Sequence, residues 1–268
     1  MTKPWLFLSD IDGTLVRGEI GLAPGVIAAA RAYTAAGGLL AVCTGRAPVS
    51  ALPVAQALGT NAPCVLYGGA ALFDRAQNAV LWSRPFAPEV RSGIAGVLSA
   101  LPGVSVQAFT QREIYVLRRN RRFNERGVRE ENTGPIRTLD QVEGPILKLV
   151  LCSDNRAELE ACRPFFPEET CQFAFSSRNF VDIVAAGAGK EAAMAALSRQ
   201  LDIPLSRFFC AGDGMTDLPM LQLAGYSYAP ANALEPVRQA VDRVVPDVAD
   251  GGMEQAFRHA ADFMNNEV

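Results

Sequence analysis

Three short stretches of this 268-residue chain gather glycines and hydroxyls, two of them with carboxylates, directly after apolar runs. They are Ser9-Asp10-Ile11-Asp12-Gly13-Thr14, Thr44-Gly45-Arg46 and Gly212-Asp213-Gly214-Met215-Thr216-Asp217. Read as parallel strands of one sheet, the preceding runs deliver all three stretches to its carboxyl edge, where open α/β sheets bind ligands. Four carboxylates gathered there, from Asp10, Asp12, Asp213 and Asp217, would repel one another without a cation. Hard oxygen donors on short side chains favour Mg2+ over zinc. The glycines let backbone N–H groups come close to an anion.

Other chemistries are short of residues. His259 is the only histidine, the tenth residue from the C-terminal end, beside Arg258, in a segment that reads as an amphipathic helix. A Ser–His–Asp hydrolase or a zinc site built from several histidines therefore has little to work with. The six cysteines show neither C-x-x-C nor C-x5-R spacing and mostly lie in apolar runs, the pattern of buried thiols in a reducing cytosol. A net charge of −3 argues against general affinity for nucleic acid or anionic membrane. The N-terminal stretch lacks a signal-peptide core, and no apolar run approaches the ~20 residues of a membrane span. The sequence thus predicts a cytoplasmic protein.

The elements that must position these residues follow an α/β pattern. Strands are expected at Trp5–Ser9, Leu39–Cys43, Val65–Tyr67, Phe208–Ala211 and Tyr226–Ala229. Helices are expected at Pro24–Ala36, Pro48–Leu58, Glu191–Gln200 and near Asp217–Leu223, with a hairpin from Ala70–Phe73 and Val80–Trp82. From Arg84 to Ala185 the character changes to alternating strands, at Val104–Phe109, Ile114–Leu117, Lys148–Cys152 and Val181–Val184. This stretch has 14 basic and 13 acidic residues, against 11 and 15 in the remainder. The expectation is a Rossmann-like parallel-sheet core from residues 1–83 and 186–268, with an inserted α+β cap domain at 84–185.

With D-I-D-G-T near the N-terminus, T-G-R after the second strand, Lys190 before a helix and G-D-G-M-T-D later, the chain resembles the haloacid dehalogenase (HAD) superfamily. The insert between the second and third motifs resembles that of its Cof-type phosphatases with a C2 cap. The resemblance implies an enzyme, a Mg2+-dependent phosphoric monoester hydrolase. Asp10 would be the nucleophile and form an aspartyl-phosphate, and Asp12 would protonate the leaving alkoxide and then activate water. Mg2+ would be held by the Asp10 side chain, the Asp12 backbone carbonyl and Asp213, with Asp217 and Thr216 supporting them. Thr44 and Lys190 would join the catalytic set by gripping phosphate oxygens and neutralising their charge. Gly13, Thr14, Gly45, Arg46, Gly68, Gly69 and Asn232 would line the phosphate and substrate site. Two positions depart from the family pattern: Gly68 and Thr216 stand where asparagine is common.

The insert carries seven arginines between Arg112 and Arg129. Arg118 and Arg121 are its candidates for contacting substrate, with a solvated loop as the plainer reading. The partner expected is a small phosphorylated metabolite such as a sugar phosphate, not nucleic acid or membrane. Two alternatives share the motifs: a phosphomutase or phosphotransferase using the same aspartyl-phosphate, and a non-enzymatic phosphoaspartate switch or binding module.

Overall fold

The computed structural model describes residues 3–121, 123 and 134–266. They fall into two compact units: one contains both ends of the chain, and the other is Ser83–Ala188. Before the insert run β1 (Leu6–Ser9), α1 (Pro24–Ala35), β2 (Leu39–Val42), α2 (Pro48–Leu58), β3 (Cys64–Leu66), β4 (Ala71–Asp74) and β5 (Ala79–Ser83). The insert contributes α3 (Val90–Ala100), β6 (Ser105–Thr110), β7 (Ile114–Arg118), β8 (Ile146–Cys152), α4 (Arg156–Glu160), β9 (Cys171–Ser177) and β10 (Phe180–Ala185). After it come α5 (Lys190–Leu201), β11 (Phe208–Ala211), α6 (Leu218–Leu223), β12 (Tyr226–Pro230), α7 (Glu235–Ala240), β13 (Arg243–Val245) and α8 (Gly252–Asn266).

In the first unit a parallel sheet has the order β13-β12-β11-β1-β2. β1 lies between the halves, with Ser9 level with Ala211 on one side and Val42 on the other. Strand order reverses at β1, so a crevice opens at its carboxyl end, where ligands bind in such sheets. Alternation explains why these strands are apolar throughout. Phe7 and Phe209 face a cluster of Tyr33, Tyr228 and Phe257. Leu6, Leu8, Phe208 and Cys210 face Met194, Leu197 and Met220 from α5 and α6. Each such buried side chain contributes about 1.5–3 kcal/mol relative to exposure. All six cysteines are buried, and none forms a disulfide.

The strand expected at Val65–Tyr67 stops at Leu66. Tyr67, Gly68 and Gly69 instead take φ of +56°, +71° and +99°, a run of three left-handed residues. Two glycines make this run accessible. The turn is tied down where the Tyr67 N–H donates to the Arg46 carbonyl (3.1 Å) and the Gly68 N–H to that of Thr44 (2.9 Å).

The inserted unit is an antiparallel sheet of order β7-β6-β8-β10-β9 with short helices. Its register aligns Val106, Leu151 and Val181 across three strands, and Ala108, Leu149 and Ile183 beside them, all fully buried. The other face carries Gln107, Val150 and Asp182 in line, with Lys148 pairing Asp182 at 2.9 Å. Sequence reading missed α3 and the edge strand β9. Gly93 and Gly96 lower the helix propensity of α3, but they let Phe165 and Phe166 pack against it. Among the described residues, no helix is long and apolar enough to cross a membrane.

Candidate active site

The site is built at the carboxyl end of β1. The Asp10 N–H extends the ladder by donating to the Ala211 carbonyl (2.9 Å), which fixes Asp10 beside the β11 loop. Lys190, the first residue of α5, reaches in from 180 positions further along the chain. Its Nζ lies 2.6 Å from Asp10 Oδ1 and 2.5 Å from Asp217 Oδ1, with all three side chains buried. The other oxygen of Asp217 accepts the N–H groups of Asp213 (3.1 Å) and Gly214 (2.9 Å), shaping the loop that carries Asp213. Asp213 is oriented by the Thr14 hydroxyl, which donates to its Oδ1 (3.1 Å). Gly13 has φ +91°, and a Cβ there would overlap the Asp213 carboxylate. Asn232 Nδ2 donates to the Gly13 carbonyl (2.7 Å), and its Oδ1 accepts from the Val248 N–H (3.0 Å), so Asn232 anchors this turn.

A second group surrounds Thr44 and Arg46. Thr44 is buried, its Oγ1 accepting the Arg46 N–H (3.2 Å). The Arg46 guanidinium grips Asp12 with both bonds of a fork, Nη2 to Oδ1 (2.7 Å) and Nε to Oδ2 (2.8 Å). Gly69 touches the first group. A Cβ there would collide with the Gly189 carbonyl and the Lys190 N–H, so this glycine seats the backbone that presents Lys190. The left-handed Tyr67–Gly69 turn therefore joins the Thr44-Gly45-Arg46 loop to the start of α5.

Electrostatics set the chemistry. Burial, reinforced by Asp217 and Asp213, pushes Asp10 up to about 8 against the opposing pull of Lys190. Burial and then Asp217 push Asp213 up to about 6. Burial disfavours the Lys190 charge, but the Asp10 and Asp217 carboxylates outweigh it and hold its pKa well above the ordinary value. Three carboxylates share one lysine, so the pocket is short of positive charge. Oxygens of Asp10, Asp213 and Asp217 lie within 4.8 Å of one another. Hard donors that close fit a divalent cation of the Mg2+ type.

The other predicted residues fall as follows. Thr216 lies exposed in the Asp213–Asp217 loop, and Gly45 is half-buried beside Thr44. Arg118 is committed within the insert: its three guanidinium nitrogens donate to the carbonyls of Val104 (2.7 Å), Leu98 (2.8 Å) and Val97 (3.1 Å). Two of these carbonyls belong to the last turn of α3, so Arg118, one of the two candidates for contacting substrate, caps that helix. Arg121 is exposed, and Arg122, Arg126 and Arg129 of the arginine cluster lie outside the described residues. Tyr67 and the Arg46–Asp12 pair escaped sequence reading. The tyrosine gave no signal, and the pair spans 34 positions.

The family of haloacid dehalogenase-like hydrolases matches residues 7–257. A Haemophilus influenzae protein named provisionally as a phosphatase is 23% identical over 258 residues, 91% of this chain and 94% of that one. The 5-amino-6-(5-phospho-D-ribitylamino)uracil phosphatase YitU of Bacillus subtilis is 20% identical over 265 residues, 96% of this chain and 97% of that one. A solved structure described as a HAD subclass IIB sugar phosphatase shares the fold with a TM-score of 0.83 at 23% identity, covering 96% of this chain and 98% of its own. The chain belongs to the haloacid dehalogenase-like hydrolases, as a hydrolytic enzyme.

Proposed function

We infer that this enzyme is a Mg2+-dependent phosphatase that hydrolyses small-molecule phosphate monoesters through an aspartyl-phosphate on Asp10. The observation that carries the reading is the buried Asp10–Lys190–Asp217 array with Asp213 in reach. Asp10 attacks phosphorus in line, its carboxylate oxygen forming the new bond as the bond to the leaving alkoxide breaks. Asp12, two residues on, gives that alkoxide a proton and later takes one from the attacking water. Lys190 and the Thr44 hydroxyl counter charge on the phosphoryl oxygens, and the Gly45 N–H adds a donor. The side chains of Asp10 and Asp213, with the Asp12 carbonyl, would hold Mg2+, which when bound screens the anionic nucleophile from the anionic phosphate. Asp217 keeps Lys190 and the Asp213 loop in place. Gly13, Thr14, Gly68, Gly69, Thr216 and Asn232 shape and support this pocket.

The inserted unit acts as the cap, and the substrates are sugar phosphates or related metabolites, in keeping with the names of the relatives. The test is phosphate release from a panel of phosphate esters with Mg2+. Asp10→Asn should lower turnover by at least about a thousandfold, as loss of a nucleophile does. Retention of a tenth of wild-type turnover would sink the assignment. Transfer of phosphate to a second sugar, without free phosphate, would instead make the enzyme a mutase.

A further inference from the structure

Asp12 is half exposed on a turn two residues after the nucleophile, where a short carboxylate can adopt several rotamers. Acid catalysis needs one of its oxygens aimed at the leaving group. We propose that Arg46 is the positioning residue that aims Asp12, rather than a ligand of the substrate phosphate. This rests on the assignment of Asp12 as the proton donor.

Three observations carry it. The guanidinium is already engaged: Nε and Nη2 hold the two Asp12 oxygens at 2.8 and 2.7 Å, and Nη1 donates to the Ser50 carbonyl in α2 at 3.1 Å. Its backbone is fixed at both ends, the N–H on Thr44 Oγ1 and the carbonyl on the Tyr67 N–H. Arg46 is thus tied to α2, to the Thr44 loop and to the left-handed turn. Finally, the contact is the two-bond form of the arginine–carboxylate pair, which fixes direction as well as charge. Isolated exposed ion pairs contribute little, but bidentate geometry is the exception.

The fork suits a group that must change protonation state. One Asp12 oxygen can leave the guanidinium, carry a proton to the leaving alkoxide and return, while the other bond keeps the carboxyl aimed. Lysine offers a point charge and no fork, so Arg46→Lys keeps the attraction for phosphate and loses the aim.

The leaving group supplies the readout. A p-nitrophenolate departs without a proton, whereas a sugar alkoxide requires one. The ratio kcat/KM reports the steps through leaving-group departure, so the later water attack does not enter. Arg46→Lys should lower kcat/KM for an alkyl phosphate such as a hexose 6-phosphate at least tenfold more than for p-nitrophenyl phosphate. In an Asp12→Asn background the same change should add less than threefold. Equal losses on both substrates would overturn the proposal in favour of phosphate binding or structural damage, as would undiminished alkyl turnover. Should Arg46→Lys fold poorly, Arg46→Gln is read by the same ratio between substrates, which does not depend on the amount of folded enzyme. Asp10→Asn separates the two levels. If it spares turnover the phosphatase reading falls, whereas a dead Asp10→Asn with equal losses in Arg46→Lys removes only the role of Arg46.

Discussion

Two lysines of this protein are buried to the same degree, each 5% exposed, in different surroundings. Lys190 stands at the carboxyl edge of the parallel sheet between two buried carboxylates, with Asp213 close by. Lys148 stands on one face of the antiparallel sheet, where it pairs with Asp182, which is 29% exposed, and has the Phe109 ring 5.8 Å away. At Lys148 the pairing carboxylate is open to water, which screens the interaction. At Lys190 negative charge is in excess, and burial strengthens each interaction. Burial of a lysine therefore does not mark a site. An excess of carboxylates around it is the better pointer, because that excess must be met by protons or by a bound cation.

The sharpest way to break this contrast is Lys190→Met. Removing one preorganised charge at a transition state costs about 10²–10³ in rate. The expected result is that loss in kcat/KM for phosphate esters in a protein whose circular dichroism is unchanged. Near-normal turnover would make Lys190 as structural as Lys148. Gly69→Ala should act next, through the backbone that presents Lys190 and through the strain of a side chain at φ +99°. Displacement of a catalytic group by about 1 Å costs up to ~100-fold. A fall of roughly tenfold or more in kcat is expected, checked against Gly18→Ala, where φ is +60° and an added Cβ meets nothing within 4 Å.

The excess of carboxylates also gives a pH signature in the metal-free protein. Asp10 and Asp213 are raised from the ordinary 3.8 to about 8 and about 6. The folded state then holds more protons than the unfolded state between these limits, so stability is present below about pH 4 and lost as pH rises through 6 to 8. Added Mg2+ should offset that loss. The rise in Tm it causes should therefore be larger at pH 8 than at pH 5 in a thermal-unfolding titration. An equal rise at both values would mean that these carboxylates do not meet the ion. The smallest effect is expected at the other lysine. Lys148→Met with Asp182→Leu should leave kcat/KM within about twofold and stability within about 1–2 kcal/mol by urea unfolding, since ion pairs replaced together by apolar groups are often neutral.

The functional loops were legible because Asp, Gly and Thr have few reasons to cluster after apolar runs, and the runs themselves betray strands buried on both faces. Asp10, Asp213, Asp217 and Thr14, all from those loops, lie close together, whereas Lys190, which meets Asp10 and Asp217, was singled out only by the family resemblance. What stayed hidden were contacts between residues of generic type. Arg118 looks like any surface arginine until the last turn of α3, some 20 residues earlier, is placed under it. The grip of Arg46 on Asp12 depends on two turns lying side by side, and no local spacing encodes that. The strand end at Leu66 was misread because Tyr favours strands and only the following glycines permit the left-handed turn.

The placement of β1 between β2 and β11 also governs how the enzyme is made. Asp10 and Lys190 are 180 residues apart, and at roughly 5–20 residues per second a ribosome needs about 10–40 s to pass from one to the other. Throughout that interval the edge of β1 that will pair with β11 has no partner, although Leu6, Phe7 and Leu8 are among the most apolar residues of the chain. The intervening insert can complete its own antiparallel sheet from residues between 83 and 188 in the meantime. An unpaired apolar edge of that kind is a template for wrong pairing, and the backbone at Asp10 gains its β11 neighbour only when that strand closes the sheet.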